Sequence, residues 1–318
     1  MPEKQKSKLI VILGPTAVGK TKLSIDIAKA LRTEIISGDS MLLYKGFNIG
    51  TAKPTPAEMD GVKHHLIDIL EPQQNFNLAD FLQIAKPLIA DINAQGRIPI
   101  LAGGTGLYVK SQLEGYELNT SSGDPAYRAY LEKLAQERGR QYVYDMLQEA
   151  DPQTAKRLLL NNFQRIIRAL EVMHSGEKQI SQTSYYAKTG ELVYDACVIG
   201  LTRPREQLYE RINQRVDMMM ADGFADEVKH LLAQGVQTDW QPMKAIGYKE
   251  MARCINGEIS REQAVSDMKK ATRHFAKRQF TWYRKMPYIK WLDADAAEYK
   301  DLVNITLSHC KELSFIIK

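Results

Sequence analysis

Residues 9–13 form an unbroken apolar run, Leu-Ile-Val-Ile-Leu, short and β-branched at its centre. That is the pattern of a strand covered on both faces of a parallel sheet. A glycine-rich turn follows. Apolar positions Leu23, Ile25, Ile27, Ala28 and Leu31 then recur in a helical pattern, predicting a helix over 22–31. A second short strand is predicted at 34–37, ending in Gly38, Asp39 and Ser40, then a helix over 76–95 stopped by Gly96. A further strand over 97–102 runs into Gly103, Gly104, Thr105 and Gly106. Strands and helices in alternation imply α/β architecture, a parallel sheet with helices on both faces.

The texture changes near residue 120, where a loop cluster over 120–125 opens a stretch that is helical in pattern to Gly176. Asp151 and Pro152 read as a cap and first-turn proline. Asn161 reads as the cap of a helix burying Phe163, Ile166, Ile167, Leu170 and Met173. Residues 193–201 return to strand pattern and 205–285 are mostly helical. The expected organisation is an α/β core over 1–120, a helical insertion over 121–192, and core continuation over 193–318 with a basic, mostly helical C-terminal part.

Hydrophobic residues make up 44% and charged residues 25% of the 318, the mix of an ordinary globular protein. That excludes a disordered chain, a collagen-like repeat and a disulfide scaffold. Cys197, Cys254 and Cys310 lie far apart in sequence, so no zinc finger or disulfide framework is expected, and a reducing compartment is. The five-residue run at 9–13 is too short for a membrane span or signal-peptide core, so a cytoplasmic protein with no membrane partner is expected. Nothing suggests an obligate dimer, so the expectation is a monomer. The net charge of +5 is unevenly placed. Between residues 244 and 290 there are twelve Lys/Arg against four Asp/Glu, which suggests a surface that meets a polyanion. A solvated helix face is the alternative.

Gly14-Pro15-Thr16-Ala17-Val18-Gly19-Lys20-Thr21 fits Gly-x4-Gly-Lys-Ser/Thr in full, after a predicted strand and before a predicted helix. Its glycines let backbone N–H groups turn inward around an anion, and the helix N-terminus adds partial positive charge. Lys20 would neutralise phosphate oxygens, and the Thr21 hydroxyl would help hold Mg²⁺. The motif makes this a P-loop NTPase-like sheet, nucleotide- or ATP-binding by motif, with a helical domain inserted. The acidic residue such enzymes carry at the end of an apolar strand is missing after 97–102, and Asp68 is a weak substitute. Asp39 falls at the carboxyl edge of the sheet, where it would face an acceptor, associate with metal, or cap its own loop. His64 and His65, adjacent in an extended segment, point to opposite sides and read as core or hydrogen-bonding residues, not metal ligands. Met218, Met219 and Met220 read as helix packing.

Together these segments resemble the bacterial type of the tRNA dimethylallyltransferase family, over roughly residues 8–290. The resemblance is carried by the motif at 14–21, Asp39-Ser-Met-Leu-Leu-Tyr44, Ile49-Gly-Thr-Ala-Lys-Pro54 and His64-His-Leu-Ile-Asp68. It continues with Gly103-Gly-Thr-Gly-Leu-Tyr108, Arg165-Ile-Ile-Arg-Ala-Leu-Glu-Val172, Arg211-Ile-Asn-Gln-Arg-Val216, Ala245-Ile-Gly-Tyr-Lys-Glu250 and residues 272–284. It implies transfer of a dimethylallyl group from dimethylallyl diphosphate to N6 of the adenosine 3′-adjacent to the anticodon, with Mg²⁺ as cofactor. Gly14, Pro15, Thr16, Ala17, Val18, Gly19, Lys20 and Thr21 would then bind a leaving diphosphate, with Arg211 and Arg215 clamping its oxygens. The amine lone pair is delocalised into the adenine ring, so a carboxylate that takes its proton is useful. Asp39 is the candidate base, with Thr21 as the second catalytic residue. Lys53 would support the same pocket or lie on the surface.

Contact with the anticodon stem-loop of tRNA is implied for Asp39, Ser40, Met41, Leu42 and Thr105. It is implied also for Arg128, for Gln164, Arg165, Ile166, Ile167 and Arg168 in the insertion, and for Lys244, Gly247, Tyr248, Arg273 and Lys277. Leu42 stands where many members carry Gln, which removes a base-contacting amide. Across residues 269–285 seven cations (Lys269, Lys270, Arg273, Lys277, Arg278, Arg284, Lys285) occur without an acid, interleaved with Phe275, Phe280, Trp282 and Tyr283. That mixture suits RNA, with some of the aromatics in the core. Two other readings stay open: a P-loop kinase with Asp39 facing an acceptor hydroxyl, and a non-catalytic RNA-binding protein switched by a nucleotide.

Overall fold

The structure, a computed structural model, describes residues 6–116, 124–176, 191–296 and 298–312. The six strands are β1 (Lys8–Leu13), β2 (Ile35–Ser37), β3 (His64–His65), β4 (Ile100–Gly103), β5 (Asp195–Thr202) and β6 (Lys290–Asp293). They form one parallel sheet in the order β3-β2-β4-β1-β5-β6. Central β1 has every residue from Leu9 to Leu13 at 0% exposure, as its unbroken apolar run demands. Ile10 pairs with both Ile100 and Cys197, so these side chains share a face. With Ile12 and Ile199 they join Ile25 and Ala28 of α1 (Lys20–Leu31), and Leu302 and Cys310 of α13 (Tyr299–Glu312), in one core. On the opposite face Leu101 and Val109 of α4 (Gly106–Glu114) both border Gly38.

Two strands escaped the sequence pattern. β3 is two residues long and β6 reads Lys-Trp-Leu-Asp; both sit at sheet edges, where the apolar signal of a doubly covered strand is absent. β4 starts at Ile100, not 97, because Pro99 has no N–H to give to a ladder. After the single turn of α2 (Pro56–Met59), α3 (Leu78–Ala94) starts where Asn77 accepts the N–H groups of Ala79 and Asp80, with Asp80 closing a capping box. Cys197 and Cys310, 113 residues apart, bring their sulfurs to 3.2 Å between β5 and α13, both as free thiols.

The chain divides into two compact units, Met1–Leu113 with Leu192–Lys318, and Glu114–Glu191. Residues 120–123 of the loop cluster lie outside the described residues. The second unit holds α5 (Pro125–Arg138), α6 (Arg140–Ala150), α7 (Pro152–Ala155) and α8 (Phe163–His174), around its own core of Leu131, Val143, Leu147, Phe163, Ile166, Ile167 and Leu170. Asp151 caps α7 by accepting the Thr154 N–H at 3.0 Å. The cap position of α8 belongs to Asn162, not Asn161, and its Oδ1 accepts the Leu159 N–H instead of one from the helix. In the first unit, Val193 N–H donates to Leu113 O at 2.9 Å, closing the point where the chain leaves and rejoins.

That unit continues with α9 (Arg205–Ala221), α10 (Phe224–Ala233), α11 (Tyr248–Ile255) and the long α12 (Arg261–Tyr283), which starts from a Ser260 cap. Because all strands run parallel, their carboxyl ends share one edge. The loop after β1, the Gly38–Asp39 turn after β2 and the Gly104–Thr105 turn after β4 therefore converge there. Their approach is close: a Cβ on Gly103 would lie 2.4 Å from the Gly38 carbonyl, so no side chain fits at that position.

Candidate active site

The loop after β1 is wound as an anion cradle. Gly14 (φ 150°), Ala17 (φ 64°) and Gly19 (φ 109°) take positive φ, and Gly14 lies so near Leu201 that a Cβ would sit 2.7 Å from its carbonyl oxygen. α1 begins at Lys20 directly from this loop, so its N-terminal dipole points at the same place. Lys20 Nζ donates to Pro15 O at 2.7 Å. Burial pulls its ammonium down to about 7, helped by the Arg215 charge and opposed by Asp39. A phosphate arriving in the cradle would restore that charge.

Side chains from distant elements hold the cradle's backbone. Arg211 Nε donates to Ala17 O at 3.0 Å, Arg203 Nε donates to Val18 O at 3.0 Å and Gln279 Oε1 accepts the Thr16 N–H at 2.9 Å. Arg203 is itself ion-paired to Asp295. The sequence reading missed Arg203 and Gln279, because an arginine or glutamine far along the chain carries no local signal of its partner. Arg211 braces the loop and borders the wider cavity beyond it, while Arg215 lines both that cavity and a smaller one. Burial lowers the Arg215 pKa, with Asp39 and Glu58 opposing.

The smaller cavity, about 110 Å³, is lined by Thr16, Lys20, Thr21, Asp39, Leu42, Arg215, Phe275 and Gln279 among others. The wider cavity of about 1150 Å³ lies on the other side of Lys20, Thr21 and Arg215, which belong to both, and it opens past Lys22, Arg211, Met218 and Met219. Met218 is 63% exposed, which corrects its reading as packing: it forms part of that wall. Asp39 does both things its type allows. Its Oδ1 accepts the Met41 N–H at 2.9 Å, shaping its own turn, and the residue faces the small cavity with Lys20 and Arg215. Thr105 Oγ1 accepts the Ser40 N–H at 3.1 Å, so the hydroxyl links the two turns. Met41 and Leu42 are half-buried beside them, and Leu42 supplies an apolar wall. Lys53 Nζ donates to Tyr44 O at 2.7 Å and pairs with Asp68, so Asp68 is engaged there and no substitute metal acid. His64 bonds Val62 O at 2.8 Å and His65 bonds Glu34 at 2.6 Å, as hydrogen-bonding residues do.

Of the residues with implied RNA contact, some are buried and others are partly exposed but tied to partners within the protein. Ile166 and Ile167 are at 0% exposure in the core of the insertion, with no side-chain surface to offer. Arg128 gives both prongs of its guanidinium to buried Glu171, each at 2.8 Å, and a third N–H to Gln164 at 3.1 Å. Arg168 approaches the same Glu171 at 3.6 Å, while Gln164 and Arg165 are exposed. Tyr248 is fully buried and donates to Glu227 at 2.6 Å. Glu227 in turn accepts the N–H groups of Asn48 and Ile49 and so secures that loop. Gly247 is buried at φ 100°, and Lys244 is exposed.

Along α12, Lys269 pairs with Asp217 at 2.6 Å and Arg273 donates to Asn213 at 2.6 Å, both fastening α12 to α9. The exposed basic face is Lys270, Lys277 and Arg278, continued past the helix by Arg284 and Lys285. Tyr283 is wholly buried, Trp282 packs on Gly106 and Phe280 packs on Trp291, leaving Phe275 as the aromatic of that run which lines the cavity.

A P-loop parallel-sheet protein with a carboxylate across the phosphate cradle is the class this geometry defines. Residues 42–286 match the family model described as IPP transferase. The chain is 48% identical over 298 residues to a tRNA dimethylallyltransferase of Bacillus cytotoxicus, covering 94% of each chain. It is 49% identical over 299 residues to one of Bacillus cereus, covering 94% of this chain and 93% of the relative. In structure it resembles the full-length tRNA isopentenylpyrophosphate transferase of Bacillus halodurans, with TM-score 0.72, 43% identity and 97% and 98% of the two chains covered. A eukaryotic dimethylallyltransferase acting on tRNA gives TM-score 0.80 at 27% identity, covering 98% and 81%. The chain belongs to the tRNA dimethylallyltransferase (IPP transferase) family.

Proposed function

We propose that this protein transfers the dimethylallyl group of dimethylallyl diphosphate to N6 of the adenosine 3′-adjacent to the anticodon of tRNA, releasing diphosphate. The observation that carries this reading is the shared small cavity: Lys20 and Thr21 of the phosphate loop and the Asp39 carboxylate line one space. The diphosphate occupies the cradle from the wider cavity, and the flipped adenine enters against Asp39. As N6 bonds to the allylic carbon, the C–O bond breaks and its electron pair leaves with diphosphate. Loop N–H groups and the Lys20 and Arg215 charges stabilise that developing charge. The departing N6 proton passes to Asp39.

Mg²⁺ fits this donor set as a diphosphate-bound ion. Among the described residues no cluster of three His, Cys, Asp or Glu side chains exists to cage a metal, and Mg²⁺ readily keeps waters with one or two protein oxygens. The exposed Thr21 hydroxyl would hold it, and the ion would neutralise diphosphate oxygens. RNA reaches the site over Ser40, Thr105, Lys277 and the exposed cations around α12, with Gln164 and Arg165 of the insertion and Lys244 adding contacts. We assign the protein to the cytoplasm as a monomer; among the described residues no helix is long and apolar enough to cross a membrane. The test is incubation with unmodified tRNA and either labelled dimethylallyl diphosphate or labelled ATP. Label should reach RNA from the allylic diphosphate, and label arriving from ATP alone overturns the reading in favour of a kinase.

A further inference from the structure

Gln279 lies on the inner face of α12, 4% exposed, and its amide is bonded at both ends. Oε1 accepts the Thr16 N–H at 2.9 Å, and Nε2 donates to Gly104 O at 2.8 Å. Thr16 belongs to the phosphate loop and Gly104 to the turn after β4. From that turn the connection runs on to either side of Asp39: Thr105 N–H donates to Gly38 O at 3.2 Å, and Thr105 Oγ1 accepts the Ser40 N–H. One side chain therefore links the loop for the leaving group to the loop that carries the proton acceptor. The Tyr283 hydroxyl stands 2.8 Å from Gly104 O and 3.3 Å from Gly14 O, but with one hydrogen it serves one carbonyl at a time. A primary amide supplies an acceptor and a donor together at fixed separation. A Cβ on Gly104 would lie 2.6 Å from Nε2, so the amide keeps this place only against glycine.

We propose that Gln279 is a positioning residue for prenyl transfer, its amide setting the spacing between the phosphate loop and Asp39 so that the allylic carbon and N6 meet in line. Although it lines the cavity, both ends of its amide are committed to backbone, and it acts through Thr16 and Gly104. The inference rests on the assignment of the loop to diphosphate and of Asp39 to the amine. Because each substrate is held by its own contacts, a wrong spacing lowers kcat and leaves either KM nearly unchanged.

The decisive substitution is Gln279→Glu, which keeps the shape. An ionised carboxylate can still accept from Thr16 but repels Gly104 O. A protonated one donates to Gly104 O and accepts from Thr16, rebuilding the link. Steady-state kcat and KM of the full-length wild type, Gln279→Glu and Gln279→Met would be measured for both substrates from about pH 6 to about pH 8.5. Lys20, Asp39, Arg215 and Tyr283 share the neighbourhood in every variant, so rates are read as ratios to wild type at each pH. Gln279→Met should lower kcat by about 10–100-fold with each KM within about threefold. Gln279→Glu should match that loss at high pH and recover about tenfold as pH falls. If the Met variant fails to fold, the Glu profile decides alone. A Gln279→Glu ratio that stays flat with pH, at whatever level, overturns the inference, as does a loss confined to KM. Asp39→Asn run alongside separates the failures: a disabled Asp39→Asn with a flat Glu profile removes Gln279 only, whereas a fully active Asp39→Asn removes the underlying assignment.

Discussion

The two faces of α12 carry different kinds of chemistry. On the inner face Ala276, Gln279 and Tyr283 are buried, and the polar pair bonds named backbone atoms of two loops. On the outer face Lys270, Lys277 and Arg278 stand in solvent. Between them Lys269 and Arg273 fasten the helix to α9. The inner contacts are directional and made to particular backbone atoms of the two loops, so their loss is concentrated there. Outer charges act through a screened field that any phosphate can answer, so their losses are small and shared. A single basic helix can thus be exacting on one side and tolerant on the other.

The largest effect expected is at the inner end. Asp39→Asn keeps an acceptor for the Met41 N–H but cannot take a proton. It should lower kcat by about 10²–10⁴-fold with tRNA affinity within about threefold, measured by single-turnover kinetics and filter binding. A loss in affinity with kcat intact would remove Asp39 as the base. Next is Lys20. Its ammonium is held down to about 7, chiefly by burial and then by Arg215, with Asp39 opposing. Above that pH Lys20 in the empty site is largely deprotonated, and binding an anion draws a proton in. Diphosphate affinity should therefore weaken as pH rises past about 7, by up to about tenfold per unit. Calorimetry at pH about 8 in buffers of different ionisation enthalpy should show close to one extra proton taken up relative to Lys20→Met. Equal uptake by the two proteins would contradict the assignment.

The comparison sharpens on α12 itself. Lys277→Glu should weaken tRNA binding and reduce the slope of log affinity against log salt by about one. Arg273→Ala should leave that slope unchanged and lower Tm, because its guanidinium bonds Asn213 within the protein. A changed slope for Arg273→Ala would place it on the RNA side. The smallest effect is remote from both faces. Burial pushes the Glu34 carboxyl up, but hydrogen bonds from His65, Arg97 and Lys63 outweigh it and hold it at about 2. Its ionised form therefore supports the fold above pH about 4.5, and that support is lost as pH falls towards about 2. Glu34→Gln should be about 1 kcal/mol less stable at neutral pH and converge on wild type in acid, followed by urea titration.

What could be read from sequence follows physical locality. Strands β1, β2, β4 and β5 and the cradle at 14–21 announce themselves, since burial on two faces needs continuous apolar residues and an inward-turned backbone needs glycine at set places. Asp39 was legible because a carboxylate just past a strand of a parallel sheet falls at the edge where ligands lie. Gln279 was not: its partner Thr16 is 263 residues away, and a glutamine on a helix has no signature. Glu227, which secures the loop at 48–50, is hidden for the same reason. Tyr248 misled in the opposite direction, since an aromatic beside an RNA-like motif looks available until Glu227 is seen to hold it in the core.

The hydrogen bond from Val193 to Leu113 brings together, within the first unit, the two points where the chain leaves for the insertion and returns. Entry and exit strands of chain are already stitched, so a two- or three-residue turn could replace everything between them without re-registering the sheet. The same stitch makes this the natural seam at which the insertion of another family member could be exchanged while the first unit keeps its sheet.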